Sequence, residues 1–182
     1  LQVRQAAVDV GIGQTLLPVL YSHSGFGGQA PNGGQTRFIH DLDGYLRLQE
    51  QLGQNMDSLK HNQGLCFHSL RAVTKSQMQT ALSSLPQTWP VHIHIAEQTK
   101  EVDDCIAWSG QRPVEWLANE VGFDARWCLI HATHVSQQEV KIIADSQAVV
   151  GLCPSTEANL GDGIFPITDL IAQGGRFGVG SD

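Results

Sequence analysis

Residues 91–134 read VHIHIAEQTKEVDDCIAWSGQRPVEWLANEVGFDARWCLIHATH, and the order of patterns within them decides the fold. The stretch opens on a short apolar run, Val91–Ala96, and closes on another, Trp127–Ala132. Both have the length and the Val/Ile/Leu content of buried strands. Between them, residues 99–122 carry helix formers, and Gly110 and Pro113 divide that region into two helices. Strand, helices and strand in that order form one β-α-β unit.

The same alternation extends in both directions. Strand-like runs occur at Thr15–Tyr21 (TLLPVLY), Leu65–Leu70 (LCFHSL), Ala148–Cys153 (AVVGLC) and Phe177–Gly180 (FGVG). None alternates strictly, as expected of parallel strands covered on both faces. Leu42, Leu46, Leu48, Leu52 and Leu59 predict a helix over 41–59. Thr74-Lys75-Ser76-Gln77 and Ser136-Gln137-Gln138-Glu139 fit the capping box, in which two side chains satisfy exposed amides at a helix start. Gly174-Gly175 closes a last helix over 166–173. The repeat is about 32 residues, against about 31 in a (βα)8 barrel. A doubly wound sheet has similar repeats, so spacing leaves both architectures open. No G-x-G-x-x-G follows a strand. The glycine-rich loop 22–38 reads either as a flexible surface excursion or as a wall or lid over a barrel mouth.

Composition narrows the function classes. At 182 residues, 41% hydrophobic and 16% charged, the chain has enough apolar content for one core, which excludes disorder. No apolar run approaches the ~20 residues of a membrane span, and residues 1–25 lack a signal-peptide pattern. A net charge of −7 with 11 Lys+Arg and no basic cluster argues against nucleic acid or an anionic membrane as partner. Cys66, Cys105, Cys128 and Cys153 form no C-x-x-C pair, which favours reduced thiols and a cytoplasmic location. Because it starts at Leu1 and stops at Asp182 straight after an apolar run, the chain is expected to be a segment of a larger protein.

Polar residues gather at the C-terminal ends of the expected strands, where barrels and open sheets build their sites. They are His68 and Arg71, then His92, His94 and Glu97, then His131 and His134, then Glu157 and Asn159, then Ser181 and Asp182. One histidine on a strand is usually a packed core residue. Histidines or carboxylates ending three separate strands suit a hydrolytic metal site, in which imidazoles and a carboxylate hold a divalent ion and leave a place for water. His94 at its strand's end is the better ligand, with His92 packed one layer lower. His134 reads as a loop or helix-entry residue. Glu157 and Asn159 read as shaping the loop after their strand, with no catalytic role.

His94-x-x-Glu97, then His131, then Ser181-Asp182 after Gly-Val-Gly, resembles the deaminase branch of the amidohydrolase superfamily. HIHIAEQTKEVDDC, RPVEWL, WCLIHATHV, GLCPSTEANLGDGIFP and GGRFGVGSD together resemble the formimidoylglutamate deiminases, as do LLPVLYSHSGFGGQAPNGGQTRF and LCFHSLRAVT. The resemblance covers nearly the whole chain. It implies an α/β fold, a partial (βα)8 TIM-type barrel with strands 3 to 8 present over 1–182. The first two barrel strands, with two further metal ligands, and a small β-sandwich domain would lie outside.

The resemblance further implies one divalent ion, zinc with iron or manganese as alternatives, held here by His94 and Asp182. Glu97, His131 and Asp182 would be catalytic. Asp182 or Glu97 would take the proton of the attacking water, His131 would steady the intermediate, and Glu97 would protonate the leaving nitrogen. The implied reaction is deimination of N-formimino-L-glutamate to N-formyl-L-glutamate and ammonia, in histidine degradation. A doubly anionic substrate meeting a net-negative protein needs aimed cations, and His68 and Arg71 are expected to bind it, Arg71 as a carboxylate clamp. A cytoplasmic homodimer is expected of the complete protein. Two alternatives stay open: another deaminase of the superfamily acting on a purine, S-adenosylhomocysteine or triazine-type ring, and a catalytically incompetent barrel fragment.

Overall fold

Apolar strand runs separated by amphipathic helices have one economical solution, a parallel sheet with the helices packed on it. The computed structural model describes residues 2–54 and 60–182. In chain order the elements are α1 (Gln2–Val10), β1 (Gln14–Leu16), β2 (Val19–Leu20), α2 (Leu42–Gly53), β3 (His61–Gln63), β4 (Leu65–Phe67), α3 (Lys75–Ser84) and β5 (Val91–Ile95). There follow α4 (Thr99–Ser109), α5 (Pro113–Glu120), β6 (Trp127–His131), α6 (Gln137–Ser146), β7 (Val149–Leu152), α7 (Pro154–Leu160), α8 (Ile167–Ala172) and β8 (Arg176–Val179).

Six strands form one sheet in the order β2-β4-β5-β6-β7-β8, every pair parallel. Each strand of this sheet lies beside its successor in the chain, with no reversal of order. A doubly wound sheet reverses at a switch point, whereas a barrel wall does not. The order therefore selects the barrel wall over the open sheet. A separate pair, β1 and β3, continues β2 and β4 at their N-terminal ends.

Several expectations are corrected in detail. The run Thr15–Tyr21 is broken into β1 and β2 at Leu17-Pro18, because proline donates no ladder hydrogen bond. The helix expected over 41–59 ends at Gly53, and Leu59 lies outside the described residues. The helix α1, the strand β3 and the short helix α7 were not read from the sequence. Coverage also differs. Along β5 and β6 buried and half-exposed residues alternate, and β8 is exposed throughout. Only β4 is buried at every position, as expected of a strand covered on both faces, while β5, β6 and β7 are covered fully on the helix side alone.

That face holds the core. Val91, Ile93 and Ile95 of β5 and Trp127 and Leu129 of β6 are buried with Tyr45, Met78, Leu117 and Ile143 from the helices. Both capping boxes form as expected, on α3 at Thr74 and Gln77 and on α6 at Ser136 and Glu139. Buried Glu139 does more than cap. Its carboxylate accepts from the backbone N–H of Ser136 and Val114 (2.8 and 3.0 Å) and from Arg112 Nε (2.7 Å). The same arginine, half-buried, donates to the carbonyl of His134, so α5, α6 and the turn after β6 share one ion pair. Among the described residues no helix is long and apolar enough to cross a membrane.

Candidate active site

The parallel register sets the site. Leu65, Val91 and Trp127 are aligned across β4, β5 and β6, so the C-terminal ends of these strands come level. His92 and His94 lie on the half-exposed face of β5, opposite the helix-facing Val91, Ile93 and Ile95. His68 follows β4 with the same parity. The rings of His68 and His94 are 5.5 Å apart, and those of His94 and His131 5.7 Å apart, making a row across three strands.

Simple alternation would send His131 to the helix side with Trp127 and Leu129. Its backbone is left-handed instead (φ 65°), as are those of the next residue, Ala132 (φ 50°), and Ala96 in the corresponding turn of β5 (φ 49°). This conformation is uncommon for residues with a Cβ. It breaks the alternation and brings the His131 ring to the side of His94. The two turns are tied together, since Ala132 N donates to Ile95 O at 3.0 Å and His134 N to Ala96 O at 2.9 Å. His134 itself sits in the loop before α6, as expected.

Hydrogen bonds define the ring nitrogens. The carbonyl of His68 lies 2.7 Å from His94 Nδ1. A carbonyl only accepts, so Nδ1 carries the hydrogen and Nε2 keeps the lone pair that a metal would need. His131 Nε2 lies 3.7 Å from Glu97 Oε1, and its Nδ1 lies 3.2 Å from Glu157 Oε1. Glu157, read from the sequence as a loop-shaping residue, thus stands against the central histidine. Only its place one turn into a helix starting at Pro154 hints at a carboxylate folding back. Burial, then the charges of Asp182, Glu157 and Glu97, push the Cys153 thiol at the end of β7 above its usual range. Asp182 is exposed and has a left-handed backbone (φ 63°).

His68 and Arg71 are brought together, with one correction. Burial first, then His94 and Arg71, push the His68 imidazole down to about 4, so it is neutral near pH 7. Of the pair, Arg71 carries the positive charge. Its Nε is buried and, among the described residues, has no hydrogen-bond partner. A buried donor left unpaired is costly and fits a site that receives an anion. Tyr21 stacks on the His68 ring at 4.4 Å and accepts a hydrogen bond from Gln35 Nε2 at 2.8 Å. Loop 22–38 is thereby a fixed wall. Ser22 and His23 donate to the carbonyl of Ala72, and buried Phe26 stacks on Trp108. Tyr21, Gln35, Arg37, Phe38 and His68 line a cavity between this wall and the strand ends.

Among the described residues no group of three or more His, Cys, Asp or Glu is arranged to hold a metal ion. The donor types present fit part of a metal shell: His94 keeps Nε2 unprotonated, and the Asp182 carboxylate is of the kind borderline divalent ions accept.

The sequence pattern of the amidohydrolase family matches residues 22–182. A formimidoylglutamate deiminase from Pseudomonas aeruginosa is 60% identical over 182 residues, all of this chain and 40% of that protein. A crystal structure of an amidohydrolase from Brucella melitensis superposes with a TM-score of 0.95 at 54% identity, over 100% of this chain and 40% of the other. An adenosine deaminase from Xanthomonas campestris, solved with bound zinc, has a TM-score of 0.82 at 21% identity over 98% of this chain and 38% of the other. The chain thus spans about 40% of the length of these relatives.

Proposed function

From the premise that the chain belongs to the amidohydrolase family, we propose that the protein hydrolyses N-formimino-L-glutamate to N-formyl-L-glutamate and ammonia, a step of histidine degradation. The observation that carries this reading is the unpaired, buried Nε of Arg71 beside the neutral His68, next to the row of His94 and His131. A carboxylate entering there satisfies the arginine with a charge-assisted bond, and His68 adds a neutral one. The similarity to the Pseudomonas enzyme supports the same substrate.

His94 and Asp182 are the residues of this chain that would hold a divalent ion, zinc in this reading, with further ligands from the remainder of the protein. When bound, the ion supplies a water that ionises near neutral pH. Glu97 then takes a proton from the attacking water and delivers one to the nitrogen that leaves as ammonia. His131 Nε2, 3.7 Å from Glu97, accepts a hydrogen bond from the attacking water and holds its oxygen toward the formimino carbon. Arg71 holds the carboxylate so that this carbon lies over the histidine row. In the same reading the six sheet strands are strands 3 to 8 of the barrel, and the complete protein is a cytoplasmic homodimer.

The test is ammonia release from N-formimino-L-glutamate by the zinc-loaded full-length protein, beside Arg71→Ala. The expected result is turnover by the parent, with guanine and adenosine inert. Arg71→Ala should raise KM about 10- to 100-fold, the loss of a hydrogen bond to a charged group. No release by the folded, metal-loaded parent overturns the assignment.

A further inference from the structure

Glu157 and His131 are both nearly sealed from solvent, at 6% and 1% exposure. Glu157 Oε1 lies 3.2 Å from His131 Nδ1 and also accepts from the backbone N–H of Cys153 at 2.9 Å. That second bond pins the carboxylate at the start of α7, independently of the histidine. The imidazole is therefore held between two carboxylates, Glu157 at Nδ1 and Glu97 at Nε2. Of the two contacts only that of Glu157, at 3.2 Å, is within hydrogen-bonding distance, Glu97 standing off at 3.7 Å. An ionised carboxylate only accepts, so a ring hydrogen sits on Nδ1. In water a histidine ring prefers the opposite tautomer, with the hydrogen on Nε2.

We propose that Glu157 is a positioning residue for the deimination: it holds His131 in the Nδ1–H tautomer and so turns the Nε2 lone pair toward Glu97 and the attacking water. With Nε2 as acceptor, the water donates one hydrogen bond to His131 and its oxygen is aimed at the formimino carbon. If the hydrogen stood on Nε2, the ring would be a donor there and could not take that bond. The inference rests on the proposed reaction for its kinetic arm only.

The experiment compares wild type, Glu157→Gln and Glu157→Leu in the zinc-loaded full-length protein. Steady-state kinetics on N-formimino-L-glutamate give kcat and KM. Ring nitrogen-15 NMR of histidine-labelled, substrate-free protein, with the His131 signals assigned by their loss in His131→Gln, reads the tautomer. Because Oε1 faces two N–H donors, the amide oxygen of the Gln variant takes that place. It should keep the Nδ1–H tautomer and lose about 10-fold or less in kcat. The Leu variant should lose the Nδ1–H signature and about 100-fold or more in kcat, with KM within about twofold, as when a histidine's tautomer-fixing partner is removed.

An Nε2–H ring in wild type, an unchanged kcat in the Leu variant, or a loss confined to KM overturns the proposal. If the Leu variant does not fold, the rings of the wild type and the Gln variant decide. If wild type turns over no formimino-glutamate, the proposed function fails, while the NMR, recorded without substrate, still decides the role of Glu157.

Discussion

Glu101, in the first turn of α4, folds back on the turn that carries Glu97: its two carboxylate oxygens accept the backbone N–H of Ala96 at 3.0 Å and of Glu97 at 3.1 Å. The bonds hold the left-handed Ala96 and leave the Glu97 side chain free for chemistry. Burial is the largest influence on Glu101 and raises its carboxyl above the usual range, against the lowering by Arg71 and by the two N–H groups. Glu101→Ala leaves two buried donors unpaired, each worth about 1–3 kcal/mol. The expected outcome is a lower Tm and a kcat reduced more than KM is raised, measured by thermal unfolding and steady-state kinetics. An unaltered Tm would show that the two bonds do not hold the turn.

The ion pair of buried Glu139 with half-buried Arg112 predicts an asymmetry. Glu139→Ala leaves two backbone donors unpaired and the half-buried Arg112 with the His134 carbonyl alone, and should cost about 2–4 kcal/mol. Arg112→Ala leaves the carboxylate with the N–H groups of Ser136 and Val114 and should cost less. Denaturant unfolding of both variants checks the order.

The fold was legible because its signals are local. Val91–Ala96 and Trp127–Ala132 announce strands by composition, and Thr74 and Ser136 mark helix starts by their spacing to Gln77 and Glu139. The end of α2 at Gly53 was not, since the apolar spacing runs on past it to Leu59. His68, Arg71, His94, Glu97 and His131 were found because they follow apolar runs, and the structure does bring them to one end of the sheet. Glu157 and Glu101 escaped because their roles depend on side chains folding back over a turn, which leaves no periodic trace. Nor does sequence reveal that His131 adopts a left-handed backbone, the feature that puts it beside His94.

Thiol reactivity offers a pH test. Burial pushes Cys66 up to about 12 and Cys105 and Cys128 up to about 11. The folded state thus keeps these thiols protonated where the unfolded chain has ionised them, so stability is full below about pH 9 and falls as pH rises toward 11–12. Alkylation at pH 8 should leave Cys66, Cys105 and Cys128 unmodified in the native protein and label them in denaturant. Mass spectrometry of the digested protein reads the difference.

Two glycines should behave oppositely. A Cβ on Gly64, between β3 and β4, would stand 2.5 Å from the backbone oxygen of Pro90, which cannot move aside without shifting the start of β5. Gly64→Ala should destabilise by about 1–3 kcal/mol, the usual cost of overpacking. Gly33→Ala, with nothing within 4 Å, should unfold at the parent's midpoint. Chemical denaturation of both variants is the check.

The paired turns after β5 and β6 have a mechanical consequence. Since Ala132 and His134 are bonded to the carbonyls of Ile95 and Ala96, the main chain beneath Glu97 and that beneath His131 form a single hinge-free block. A vibration or a strain that displaces one carries the other with it. The spacing of the two main-chain anchors, from which carboxylate and imidazole project, is accordingly set by these bonds.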